Sequence, residues 1–356
     1  MATDRVVVIG ASAGGVSALE SVVATLPPDF LHPVLVVLHL SPTGESLLPE
    51  ILEHAGMLRA AAAVDGEPLE AGRIYVASPD RHLMVERDRV RVTRGPKENQ
   101  FRPSVDVLFR SAAYYYGSGA IGVVLSGSLS DGSSGLWAIR RLGGIAVIQD
   151  PDEALYSSMP LNAMRRVDID YALPAAEMGV LLTSLVAEPV RSEPLDAAHY
   201  REDLKLDIDV AAADSAFDRG IMEFAQPSVY TCPECHGVLF RIKEGRTDRF
   251  RCHTGHGFST GALFTQMKEG AEAALWQAVK TLQESGALLA EVTGKMREVG
   301  DLETAEELAQ KAAEVEARLQ QLRELALVHG GLHDDATPDA QRDTTVGGPR
   351  TPPARK

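Results

Sequence analysis

Cysteine is scarce: the 356 residues hold three, Cys232, Cys235 and Cys252, all in the last third. An odd, clustered set in a chain with no sign of export points to a metal before disulfides. Positive charge is also in deficit. With 35 Lys and Arg against 50 Asp and Glu, the formal net charge is -15, which argues against non-specific binding to nucleic acid or to an anionic membrane. No apolar run reaches the length of a membrane span, so no membrane insertion is expected. The first strand starts within a few residues of Met1 and leaves no room for a signal peptide, which makes the cytoplasm the expected compartment. There is no Walker motif. A dinucleotide fingerprint fails twice, because it needs glycine where Ser12 stands and an acidic residue where His39 ends the second strand.

What is present is strand-and-helix alternation. Val6-Val-Val-Ile9 is a β-branched run without polar alternation, as in a strand covered on both faces of a parallel sheet. Gly10-Ala-Ser12-Ala-Gly-Gly15 follows, then apolar residues at helical spacing from Val16 to Leu26, stopped by Pro27-Pro28. Pro33–Leu38 reads as a second apolar strand, and Leu47–Ala55 as a helix. Ala60–Val64, Arg73–Ala77, Leu83–Glu86 and Arg89–Thr93 read as strands. The spacing predicts a helix from Ser104, taken as its N-cap, to Tyr116, with Val105, Leu108, Phe109 and Ala112 on one face. Ala120–Leu125 is a further strand, running into Ser126-Gly-Ser-Leu-Ser-Asp131-Gly132. Helices over 134–141, 161–167 and 175–187 and a strand over 145–149 complete an α/β domain built on a doubly wound, mostly parallel sheet.

Ser12, His39 and Asp131 each close a buried strand at its carboxyl end, the edge at which open α/β sheets carry their sites. Serine is a weak nucleophile. An imidazole must take its proton, and a carboxylate must fix the imidazole's tautomer and stabilise its cation. Each residue also has a plainer reading. Ser12 suits a helix N-cap, His39 a cap or a bond to a backbone carbonyl, and Asp131 before Gly132 a turn. Gly10-x-Ser12-x-Gly14 fits a nucleophile elbow, but the chain order Ser, His, Asp departs from the Ser, Asp, His order of α/β-hydrolases.

Cys232-Pro-Glu-Cys235 and Cys252-His-Thr-Gly-His256 have the spacing of two knuckles of a tetrahedral zinc site, with Gly237 letting the first turn fold back. His256 is preferred over His253, an immediate neighbour of Cys252 that would need a strained turn, and over His236. Unrelated free thiols and a redox dithiol at Cys232 and Cys235 are the alternatives; no thioredoxin-like βαβ unit surrounds the pair. Four protein ligands make a closed, structural site. Helical spacing from Gly261 to Val328, interrupted near Gly300-Asp301, predicts an antiparallel pair of long helices whose apolar seam serves the pair itself, self-association or a signalling partner. The expected organisation is a catalytic domain at 1–187, a linker at 188–227, a zinc-binding module at 228–259, a helical hairpin at 260–329 and a disordered tail at 330–356.

Gly-Ala-Ser12-Ala-Gly-Gly, Val-Leu-His39-Leu-Ser-Pro, Gly72-Arg-Ile-Tyr-Val-Ala-Ser-Pro79, the segment from Arg102 to Ala112, Gly122-Val-Val-Leu-Ser-Gly-Ser-Leu-Ser-Asp131-Gly and Gln149-Asp-Pro, in this order, resemble the catalytic domain of the chemotaxis protein-glutamate methylesterase family, CheB. The resemblance covers about residues 4–187 and implies a Rossmann-like methylesterase fold with Ser12, His39 and Asp131 as triad. It implies hydrolysis of γ-glutamyl methyl esters, with glutamine deamidation as a related activity and no catalytic cofactor. Its partners would be a methylated chemoreceptor or another methylated signalling protein, with methyltransferase or histidine-kinase components of the same pathway. Where the family usually has Thr after the nucleophile, Gln before the histidine and Thr-Gly-Met in the aspartate loop, this chain has Ala13, Leu38 and Ser126-Gly127-Ser128. The family's phospho-accepting receiver domain is not in this sequence, so regulation by phosphorylation within the chain is not expected. The C-terminal part is similar to an extension of some stand-alone CheB-like proteins. A signalling adaptor that keeps the fold and binds partners through its helices, with little or no catalysis, is the competing function.

Overall fold

The computed structural model describes residues 4–190, 192–194, 197–212, 221, 225–245 and 247–330. Seven strands form one sheet: β1 (Val6–Ala11), β2 (Val34–Leu38), β3 (Arg59–Ala62), β4 (Arg73–Val76), β7 (Ala120–Val124), β8 (Ile145–Gln149) and β9 (Tyr171–Leu173). They lie in the order β3-β4-β2-β1-β7-β8-β9, and every pairing is parallel. Strand β1 is buried along its whole length, which explains its unbroken apolar sequence. Its alternate side chains serve opposite faces. Val7 and Ile9 join the core under α1 (Gly15–Ala24), α2 (Leu48–Ala55) and α6 (Ala175–Ala187); Val6 and Val8 join the core under α3 (Val105–Tyr116), α4 (Ser133–Arg141) and α5 (Ser158–Arg166). Helices thus cover both faces, as a doubly wound sheet requires. Strands β5 (His82–Glu86) and β6 (Arg89–Thr93) form a separate antiparallel hairpin.

The segment expected to be a linker contains helix α7 (Ala197–Ala212). Its Leu204, Ile208 and Ala211 are buried in the core beneath α3 and α4. Three apolar residues at spacings of three and four are enough to dock a helix, although the stretch as a whole is acidic. The cysteine-bearing stretch forms an antiparallel sheet of β10 (Gln226–Thr231), β11 (Val238–Glu244), β12 (Thr247–Cys252) and β13 (Gly257–Ser259). This sheet is not a free-standing module, because it falls in the same compact unit as the α/β domain, up to Leu263. Buried ion pairs join the two: Glu98 to Arg110 of α3 and Arg251 of β12, and Asp207 of α7 to Arg249 of β12.

The second unit, from Phe264, is made of α8 (Thr260–Glu298) beyond its first turn and α9 (Leu302–Gly330). The helices run antiparallel, with Arg323 bonded to Gln283 and Val315 beside Gly286. They separate at Gly300, in the left-handed region at φ 83, and Asp301 Oδ1 caps α9 by accepting the Thr304 amide at 3.1 Å. The tail expected to be disordered lies, from 331 on, outside the described residues. Among the described residues no helix is long and apolar enough to cross a membrane.

Candidate active site

The turn after β1 does not use Ser12 as a helix cap. The N-cap of α1 is Gly14, at φ 70, two residues further on. Ser12 commits its backbone, donating its amide to Ser126 O and accepting the Gly15 amide, both at 2.9 Å. Ala11 and Leu38 are partners in the parallel register of β1 and β2, so Ser12 and His39 occupy the next rung, and the His39 amide donates to Ala11 O at 3.2 Å.

His39 does not cap a helix either. Its Nε2 lies 2.8 Å from Asp131 Oδ2, with 3% and 1% of the two side chains exposed. The imidazole stacks on Phe101, ring centres 3.7 Å apart and planes within 5°. His39 Nδ1 is buried and makes no hydrogen bond. A proton on Nε2, shared with the carboxylate, leaves the Nδ1 lone pair as the group that can take a proton.

Asp131 collects donors. Oδ2 accepts His39 and the Val105 amide (2.7 Å), while Oδ1 accepts Asn99 Nδ2 (2.9 Å), Ser104 Oγ (2.9 Å) and the Asp106 amide (3.3 Å). Ser104 occupies the N-cap position of α3 as the sequence predicts, but its side chain does not cap the helix. The carboxylate of Asp131 caps it from the neighbouring loop, where the unpaired amides and the dipole of α3 favour negative charge. Burial works against ionisation of Asp131, yet the bond to His39 and the donors Asn99 and Val105 bring its pKa down to about 2. Beside it, Asp106 is driven the other way. Burial, then the charge of Asp131, push Asp106 up to about 8, although Arg110 and the Gly135 amide oppose this.

The loop Ser126-Gly127-Ser128 is built for close approach. A Cβ on Gly127 would stand 2.1 Å from Met159 Sδ and 2.8 Å from Ser12 Cβ, so only glycine lets this loop reach the serine turn. Ser126 Oγ donates to Ala13 O at 2.8 Å and accepts the Tyr156 amide at 2.9 Å, tying the serine turn to the 155–156 loop. A hydroxyl suffices for that tie, whether serine or threonine supplies it.

At the far sheet, the ligand atoms of Cys232, Cys235, Cys252 and His256 all lie within 4.8 Å of one another. Cys235 Sγ is 3.6 Å from Cys252 Sγ, and His256 Nδ1 is 3.5 Å from Cys252 Sγ and 3.7 Å from Cys232 Sγ. A zinc tetrahedron with Zn–S near 2.3 Å has S···S edges of about 3.8 Å, so this donor set fits the ion. The knuckle turn depends on His236 at φ 60 rather than on Gly237. Gly237 instead leaves room for His253, whose Cε1 would be 2.2 Å from a Cβ there; His253 packs on the first knuckle, outside the ligand cluster.

The CheB methylesterase family model matches residues 7–182. A putative protein-glutamate methylesterase/protein-glutamine glutaminase of Leptospira interrogans is 37% identical over 50% of this chain and 93% of its own length. A protein-glutamate methylesterase/protein-glutamine glutaminase 2 of Anaeromyxobacter dehalogenans is 39% identical over 51% of this chain and 53% of its own. The Thermotoga maritima CheB methylesterase catalytic domain, a crystal structure, aligns with a TM-score of 0.49 and 32% identity, over 51% of this chain and 98% of that one.

Proposed function

Since the chain belongs to the CheB methylesterase family, and so to the carboxylic-ester hydrolases, we propose that it hydrolyses γ-glutamyl methyl esters of a methylated chemoreceptor or related signalling protein through Ser12, His39 and Asp131. The observation that supports the mechanism is the His39–Asp131 pair at 2.8 Å, with Nδ1 left unbonded on the residue that follows Leu38 as Ser12 follows its register partner Ala11. Ser12 Oγ attacks the ester carbonyl as His39 Nδ1 takes its proton, and Asp131 stabilises the imidazolium through Nε2–H. The tetrahedral adduct collapses with loss of methanol, which carries off the proton from Nδ1. Water, deprotonated by the same nitrogen, then cleaves the acyl-enzyme and restores Ser12. Attack on a glutamine side chain follows the same path with ammonia as the leaving group.

The oxyanion needs backbone amides. The Ser12 amide is committed to Ser126 O, so the Ala13 amide and the Ser128-Leu129 loop are the candidates. Leu155 and Tyr156, 74% and 47% exposed, stand against Gly14 and give the serine turn an apolar lip on which a receptor helix can rest. Away from the site, Cys232, Cys235, Cys252 and His256 would hold a structural zinc that supplies cross-linking of the two knuckles and no catalysis. The experiment is methanol release from methylated receptor by wild type and by Ser12→Ala. Ser12→Ala should lose essentially all turnover, with an unchanged circular-dichroism melt. Equal turnover in both would remove Ser12 from the chemistry, and none in either would favour the adaptor.

A further inference from the structure

Between β6 and α3 the chain makes a tight turn. Glu98 and Phe101 exchange both backbone hydrogen bonds, at 3.2 and 2.9 Å, across Asn99 and Gln100, which lie in the left-handed region at φ 50 and 77. Two successive left-handed residues are the signature of a type I′ turn, which Asn tolerates and which normally places Gly where Gln100 stands. Such a conformation persists only where its surroundings impose it. One side of the turn serves the candidate triad: Asn99 Nδ2 donates to Asp131 Oδ1 at 2.9 Å and to Asp106 Oδ2 at 2.9 Å, and Phe101 stacks on His39. The other side is held by β13 of the cysteine-bearing sheet. The Asn99 amide donates to Gly257 O (2.8 Å), the Gly257 amide to Lys97 O (3.1 Å) and the Ser259 amide to Asn99 Oδ1 (2.8 Å). Ser259 Oγ also meets Ser130 Oγ, next to Asp131, at 2.9 Å.

We propose that Asn99 is a positioning residue for Asp131, locked in place by β13, so that the C-terminal sheet is a working part of the catalytic centre; this rests on the reading of Ser12, His39 and Asp131 as the triad. A primary amide suits this place because its two ends differ. The NH2 end serves two carboxyl groups and the oxygen end accepts from β13, so sheet and aspartate are joined through one planar group. Removing it leaves Asp131 with one donor fewer and the Ser259 amide without an acceptor in a buried site.

The test uses the full-length protein, a γ-methyl-glutamyl peptide and proton NMR of the His39 Nε2 proton, assigned by its disappearance in His39→Gln. Asn99→Ala should lower kcat by roughly tenfold to a hundredfold, as expected for a small misplacement of a catalytic group, with KM within about twofold, and should shift or broaden the imidazole resonance. Asn99→Gly keeps the left-handed turn without strain but has no amide, so it should lose as much. Wild-type kcat in Asn99→Gly would make Asn99 a turn residue only and overturn the proposal. From the sheet side, a Cβ on Gly257 would meet Glu98 Cγ and Cδ at 3.1 Å and push the turn by tenths of an ångström. Gly257→Ala should therefore move the same resonance and lower kcat in the same direction, to a smaller extent. An unmoved resonance would sever β13 from the centre. If wild type neither turns over nor is labelled at Ser12 by a fluorophosphonate, the triad reading fails, while the resonance, which needs no turnover, still decides the role of Asn99.

Discussion

Two buried carboxyl groups share the NH2 of Asn99, and they carry opposite charge preferences. Asp131 has His39 and backbone amides to hold it ionised at about 2, whereas Asp106, next to that charge and fully enclosed, rises to about 8. The consequence for stability has a definite sign. Between its ordinary value of 3.8 and about 8, Asp106 keeps its proton in the folded protein but loses it in the unfolded chain, so its contribution falls as pH rises through that window. Asp131 works in the other direction: its contribution is present above 3.8 and is lost as pH falls towards about 2. Asp106→Asn cannot titrate and keeps an acceptor for the Gly135 amide. Urea midpoints should fall from pH 5 to pH 8 in wild type more steeply than in Asp106→Asn, since every other carboxylate is common to both. Parallel slopes would mean that Asp106 is ionised in the folded state.

At the scale of elements, the central sheet was legible because its strands are buried on both faces and show as uninterrupted apolar runs, from Val6–Ala11 to Ile145–Gln149. The ends of those strands gave the candidate site, since chemistry-bearing residues at carboxyl strand ends have a topological reason to meet. Strand β9 was not legible: three residues, two of them only half-buried, carry no period. Asn99 left only the signal of an Asn in a turn, because its role depends on β13, a strand 160 residues away in sequence. Helix α7 was hidden by composition. Glu202, Asp203 and Lys205 are exposed and Asp207 is buried in an ion pair, so charge interrupts the apolar period of Leu204, 1% exposed, and Ile208. Leu204→Ala should cost about 2–5 kcal/mol, as for other buried Leu→Ala changes. A urea midpoint unchanged by that substitution would mean that α7 is a tether without a share in the core.

For the α/β domain and the cysteine-bearing sheet together, the decisive fact is that they share a buried polar seam. Glu98 lies between Arg110 and Arg251, Asp207 pairs with Arg249, and Ser134 Oγ donates to Glu244 Oε1 at 2.8 Å. Charges enclosed in this way stabilise only while all partners are in place, and removing one side leaves the other buried and unpaired. The sheet's own apolar cluster is small: Cys232, Leu239, Phe250, Cys252, Phe258 and Leu263 are its buried members. A sheet with so little core needs a cross-link, and a closed zinc site supplies one whose binding energy is folding energy. The purified protein should hold about one zinc per chain after dialysis, and Cys252→Ser should hold little or none. Because the seam makes the sheet and the α/β domain one unit, chelation should lower the urea midpoint of the whole unit in a single transition, followed by tryptophan fluorescence from Trp137 of α4. A first, separate transition that leaves the Trp137 signal unmoved would show that the sheet unfolds alone. A metal-free protein with the wild-type midpoint would show that the four ligands hold no structural ion.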